Sequence, residues 1–192
     1  LCGSGNNGGD GYVAALALHH AGLDVALVAC GEPRTPAARA AAERWQATGQ
    51  GVRGPASPLP EVDAWIDGLF GIGLSRAPEA TVAALMQAVG AQRRPVLALD
   101  VPSGIDADRG SAPGVVLTAA TTLCFIAAKP GLFTAQGREA AGDVVVEPLG
   151  LDVETLAAAA SLGAPTAWAV RSAALADALP RRRVDSHKGH HG

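Results

Sequence analysis

The sequence predicts an α/β domain, a three-layer sandwich of Rossmann-like layering around a mainly parallel sheet. Two observations predict it. Short β-rich apolar runs (VALVAC at 25–30, AWIDGLF at 64–70, VLALDV at 96–101, TLCFIAA at 122–128 and VVVE at 144–147) alternate with helix-type segments, and strands covered on both faces read as continuous apolar runs. Polar, glycine-rich turns also follow several of these runs, at the strand ends where an open parallel sheet keeps its ligands.

In chain order, GSGNNGGDG at 3–11 has the G-x-G-x-x-G spacing of a phosphate-type turn through Gly3, Gly5 and Gly8. Only Leu1 and Cys2 precede it, so the strand that should present it is almost absent. The chain reads as truncated there, with a central sheet edge left unpaired. Val13, Leu16, Ala17 and His20 fall at helical spacing before Gly22, predicting a helix from about 11 to 21. Thr35 and Pro36 are an N-cap and a first-turn proline, opening an Ala-rich helix that ends near Gly49. GQGVRGPASPLP reads as a surface loop, and a further helix is expected near 79–91. Residues 1–150 form the expected domain and 151–180 an Ala-rich linker with helical segments. At 181–192, RRRVDSHKGHHG reads as the start of something further.

Composition narrows the function classes. The 192 residues are 48% hydrophobic, enough for one domain with a sizeable core. A net charge of −3 and a pI near 5.9, with Lys129 and Lys188 the only lysines, give no footprint for nucleic acid. No apolar run reaches the roughly 18 residues of a membrane span. Cys2, Cys30 and Cys124 are odd in number and far apart, which fits small buried residues in a reducing, cytoplasmic compartment better than a disulfide framework.

Four polar clusters fall at strand ends on one rim: Asn6-Asn7-Gly8-Gly9-Asp10, Asp67 with Gly71-Ile72-Gly73, Asp100 to Gly104, and Lys129-Pro130-Gly131. A pyrophosphate at a helix N-terminus favours bare amides, and Asp10 would repel it unless turned away. Amide and carboxylate oxygens suit a hard cation, and Asn7, Asp67 and Ser103 are oxygen donors from three separate loops of the same rim. Asp67 stands inside an apolar strand, where a carboxylate costs several kcal/mol unless it is paired, hydrogen-bonded or cation-bound. GSGNNGGDG alone is equally compatible with a structural turn, GIG alone is more often one, and His19 and His20 read as ordinary helix residues.

Taken together, GSGNNGGDG, IDGLFGIGLSR, LDVPSGIDADRG and AAKPGLF resemble, in order and spacing, the NAD(P)H-hydrate epimerase family, the YjeF N-terminal domain, over residues 2 to 152. The resemblance implies epimerisation of the R and S forms of NADHX and NADPHX at C6 of the hydrated nicotinamide ring. It implies a potassium ion held by Asn7, Asp67 and Ser103. Substrate would be held by Asn6, Asn7, Gly8, Gly9 and Asp10, by Gly71, Ile72, Gly73, Leu74, Ser75, Arg76 and Ala77, and by Asp100. Asp100 is expected to transfer the proton, with Lys129 stabilising a developing alkoxide. The tail is similar to the entry of an ADP-dependent dehydratase domain, so the parent protein is expected to dehydrate S-NAD(P)HX with ADP and magnesium. A homo-oligomer is compatible with this reading. Two rivals stand beside it: a nucleotide-binding module without catalysis, and an NAD-dependent dehydrogenase using Glu32, about 24 residues after Gly8, as its ribose-binding acid.

Overall fold

A computed structural model describes residues 1–74, 76–152, 155 and 158, all within a unit spanning Leu1–Leu162. Ser75, nearly all of the expected 151–180 linker and the whole 181–192 segment lie outside the described residues.

In chain order the elements are α1 (Asn6–His20), β1 (Leu27–Val28), α2 (Pro36–Gln46), β2 (Val52–Arg53), β3 (Trp65–Asp67), α3 (Ala80–Ala91), β4 (Val96–Leu99), β5 (Thr121–Phe125), a 3-10 turn (Pro130–Phe133), α4 (Ala135–Ala140) and β6 (Asp143–Glu147). Every strand pairing is parallel. One ladder joins β1 to β2 and another runs β3-β4-β5-β6. Residues 1–3 lie between the two. The Cys2 amide donates to the Val28 carbonyl and the Cys30 amide to the Cys2 carbonyl, both at 2.8 Å, while Gly3 and Gly68 donate to Gly68 and Leu1 carbonyls at 2.9 Å on the other side. The edge expected to be unpaired is therefore paired on both flanks, because three residues are enough to satisfy the facing backbone groups.

Alternation along the short strands sends neighbouring side chains to opposite faces. Cys2 and Leu27 pack with Tyr12, Ala15, Ala41, Ala42 and Trp45 of α1 and α2. Leu1, Val28, Trp65 and Val96 pack with Leu85, Met86 and Val89 of α3. These are the predicted three layers. A third cluster, including Val101, Ile105, Cys124 and Leu132, closes the end near α4.

Three expectations change. The first helix begins at Asn6, not near 11, so the glycine motif is itself the first turns of α1. The run at 25–30 contributes only Leu27–Val28 to a strand. The stretch read as a surface loop contains β2, whose Val52 and Arg53 are both exposed and so leave no apolar alternation to detect.

Candidate functional site

A cavity of about 750 Å³ opens at the carboxyl ends of the strands. It collects Asn6, Asn7 and Asp10 from the start of α1, Gly71, Ile72, Gly73, Leu74, Arg76 and Ala77 from the loop after β3, Asp100 from the end of β4, and Lys129 from the segment after β5. Four loops distant in sequence thus meet on the predicted rim, with Asp10 facing the cavity.

The glycines of the first motif do two different jobs. Gly8 and Gly9, expected at the substrate, are buried and are not among the residues that line the cavity. A Cβ on Gly8 would stand 1.8 Å from the Gly3 carbonyl oxygen, and one on Gly9 would stand 3.0 Å from Ala38 Cα of α2. Their missing side chains let α1 start directly against the strand and pack closely on α2. Gly5 is the N-cap of α1 and offers no side-chain cap. The first amides of α1 therefore face the rim without a protein acceptor from the cap, at the positive end of the helix dipole.

Asp100 is held in the left-handed region at φ +68, a conformation Asp tolerates better than most residues. Its amide donates to the Leu123 carbonyl at 2.8 Å. Its carboxylate forms an ion pair with Lys129, whose Nζ also donates to the Phe125 carbonyl at 2.8 Å. The side chains of Lys129 and Asp100 are 18% and 14% exposed, so the pair is largely removed from water while still facing the cavity. Gly71 lies against both Asn7 and Asp100, a Cβ there falling 3.3 Å from Asn7 Cβ and 3.5 Å from Asp100 Oδ2. Asp10 opens to the cavity mouth. Burial of the surrounding site, and secondarily the negative charge of Asp100, push its carboxyl above its ordinary range. Cys30 also lines the cavity, but burial pushes its thiol up to about 11. It stays protonated near neutral pH and is a poor nucleophile.

Asp67 and Ser103 lie beneath the cavity, both fully buried. The Ser103 amide donates to Asp67 Oδ2 at 2.8 Å and its hydroxyl to Oδ1 at 2.7 Å; the Leu69 amide donates to Oδ1 at 3.1 Å. The compensation a buried carboxylate requires thus comes first from these hydrogen bonds. Burial still raises the Asp67 pKa, with the Ser103 and Leu69 donors acting in the opposite direction. Ser103 Oγ in turn accepts from the Phe70 amide at 2.9 Å. Asn7 Nδ2 donates to the Phe70 carbonyl at 3.0 Å, joining Asn7 to the same local network. Asn7 Oδ1 is buried with no hydrogen-bond partner. An unsatisfied buried oxygen is costly.

Glu32 does not line the cavity, whereas Arg34, two residues further on, does. The dehydrogenase rival therefore lacks its acid at the site. Arg34 went unnoticed in the sequence because it follows no glycine motif; its place in the loop after β1 was the available signal.

The family described as YjeF-related protein N-terminus matches residues 1–131. The NAD(P)H-hydrate epimerase of Achromobacter xylosoxidans (strain A8) is 46% identical over 154 residues, covering 79% of this chain and 74% of that protein. The bifunctional NAD(P)H-hydrate repair enzyme Nnr of Escherichia coli (strain K12) is 38% identical over 200 residues, covering 100% of this chain. The chain spans 37% of that relative's length. The crystal structure of yeast ynu0, YNL200c, matches with a TM-score of 0.59 at 19% identity, over 76% of this chain and 62% of that one, a likeness of fold. On the extent of these matches, this chain belongs to the family of YjeF-related N-terminal domains.

Proposed function

We propose that this chain interconverts the R and S forms of NADHX and NADPHX. The observation that carries the reading is the Asp100–Lys129 pair facing a cavity whose other walls are the amide-rich start of α1 and the loop after β3. The names of the epimerase and repair-enzyme relatives support the same substrate class. C6 of the hydrated ring bears a hydroxyl and a ring nitrogen. Asp100 takes the hydroxyl proton, a carbonyl forms as the C6–N bond breaks, and the electron pair passes to the ring nitrogen. Reclosure on the opposite carbonyl face and return of the proton invert C6 with no net oxidation. Lys129 stabilises the developing alkoxide. Loss and return of water at C6 is the other route to the same product.

A potassium site is part of the proposal. Asn7 Oδ1, Asp67 and Ser103 offer amide, carboxylate and hydroxyl oxygens, a donor set suited to a hard cation, and the unpartnered Asn7 oxygen supports it. A bound potassium ion would supply fixed positive charge beneath the substrate. Among the described residues no cluster of three or more His, Cys, Asp or Glu offers a transition-metal site. The relatives named as bifunctional extend the proposal to the whole protein, in which an ADP- and magnesium-dependent dehydratase lyase would follow this domain. A cytoplasmic setting fits three cysteines that are all free.

The test is to incubate the protein with a mixture of R- and S-NADHX and follow the epimer ratio. Interconversion faster than the spontaneous rate is expected. A ratio that relaxes no faster than buffer alone overturns the reading.

A further inference from the structure

The loop between β1 and α2 brings Arg34, an exposed residue, to the lining of the cavity, at the place where a plain NAD site has an acid. In dinucleotide-binding folds the residue after the second strand of the motif sorts the ribose: a carboxylate hydrogen-bonds the 2′-hydroxyl, and an arginine accommodates a 2′-phosphate. Here the strand after the glycine-rich helix is β1, and of its two charged followers Glu32 stays off the cavity while Arg34 lines it.

The backbone fixes that choice. The Arg34 amide donates to the Ser4 carbonyl at 2.8 Å, fastening the loop to the glycine motif. Gly31 turns the chain at φ +111, with space for a Cβ only 3.8 Å from Ser4 Cβ. On the other side the Arg39 guanidinium donates to the Pro33 and Arg34 carbonyls at 3.2 and 3.1 Å. Arg39 thereby holds the loop, and the Arg34 guanidinium has no hydrogen-bond or ion-pair partner among the described residues. Lys129 is paired with Asp100 at the reacting end of the cavity, and Arg76 stands in the loop after β3. Arg34 is left as the cation on the β1 side, with the planar fork that suits bidentate phosphate binding.

We infer that Arg34 is a specificity-determining residue that binds the 2′-phosphate of the substrate's adenosine ribose, so that the cavity favours NADPHX over NADHX. The inference rests on the epimerase reading of the cavity, and its test has a readout independent of turnover. Adenosine 2′,5′-bisphosphate and 5′-AMP are titrated into the wild-type protein and into Arg34→Gln by calorimetry. The wild type should bind the bisphosphate more tightly, and the variant should lose roughly 10- to 100-fold for the bisphosphate beyond any loss for AMP, the scale of a charge-assisted contact. Arg34→Lys should recover part of the difference. Epimerisation assays should show the same bias, with the variant's NADPHX to NADHX ratio of kcat/KM falling by a similar factor. Equal affinity of the wild type for the two nucleotides, no binding of either, or an equal loss for both in Arg34→Gln overturns the inference; equal loss would place Arg34 on the 5′-phosphate. If wild-type epimerisation is absent while the bisphosphate preference holds, the proposed reaction fails and the nucleotide site stands.

Discussion

Lys129 reaches back from the segment after β5 to the carboxylate of Asp100 at the end of β4, while the same ammonium caps the Phe125 carbonyl. The ion pair joins the acid–base group of the proposed reaction across the ends of two neighbouring strands, with Asp100 in the left-handed conformation at φ +68.

Asp100→Asn should lower turnover by at least roughly 100-fold with substrate affinity largely retained, the usual scale for losing a general base. Asn also tolerates the left-handed region, so the loop should keep its shape. Steady-state kinetics on NADHX provide the check; near wild-type turnover would move the proton transfer to a bound water.

Asn7→Ala should remove a response to potassium. In the wild type, potassium chloride should raise the melting temperature over choline chloride at equal ionic strength by about 2–4 °C, as expected for about 1 kcal/mol of linkage. The variant should melt at the same temperature in both salts. An identical rise in the variant would sink the Asn7 assignment.

Asp67 should make stability fall as pH rises. Its folded pKa is raised, with burial the largest cause; between the unfolded value of 3.8 and the folded one the native state therefore holds a proton that the unfolded state has released. Stability is greatest below 3.8 on this account and is lost as pH climbs through the folded value. Asp67→Asn should abolish that slope, at an overall cost of about 1–3 kcal/mol because its amide nitrogen would face the Ser103 donor. Denaturant melts of both proteins in potassium-free buffer from pH 4 upward, at about unit intervals, compare the slopes; parallel curves would refute the assignment.

Two glycine substitutions should act with opposite sign. Gly8→Ala forces a Cβ to within 1.8 Å of the Gly3 carbonyl and should cost about 3 kcal/mol or more. Gly90, exposed within α3, has nothing within 4 Å of an added Cβ. Gly90→Ala should stabilise by about 0.5–1 kcal/mol by restricting the unfolded chain. Urea denaturation reads both changes, and a Gly8→Ala protein as stable as wild type would contradict the close packing of α1.

By itself the sequence determined the alternation of buried strands and helices, the parallel sheet, and the rim on which the polar loops meet, because apolar periodicity and turn residues report local structure directly. It also marked Asp67, since a carboxylate inside an apolar strand conflicts with its surroundings. Tertiary structure decided what each polar residue does. Asp67 meets Ser103 across 36 residues, and Lys129 meets Asp100 across 29, through strand order and register that no local pattern encodes. Gly8 and Gly9 became packing surfaces because α1 begins at Asn6, against residues 1–3 and α2. The loop after β1 kept Glu32 off the cavity and put Arg34 on it through bonds from Arg39 and to Ser4. Which side chain faces a ligand depends on how distant segments constrain a turn, and that information exists only once the chain has folded.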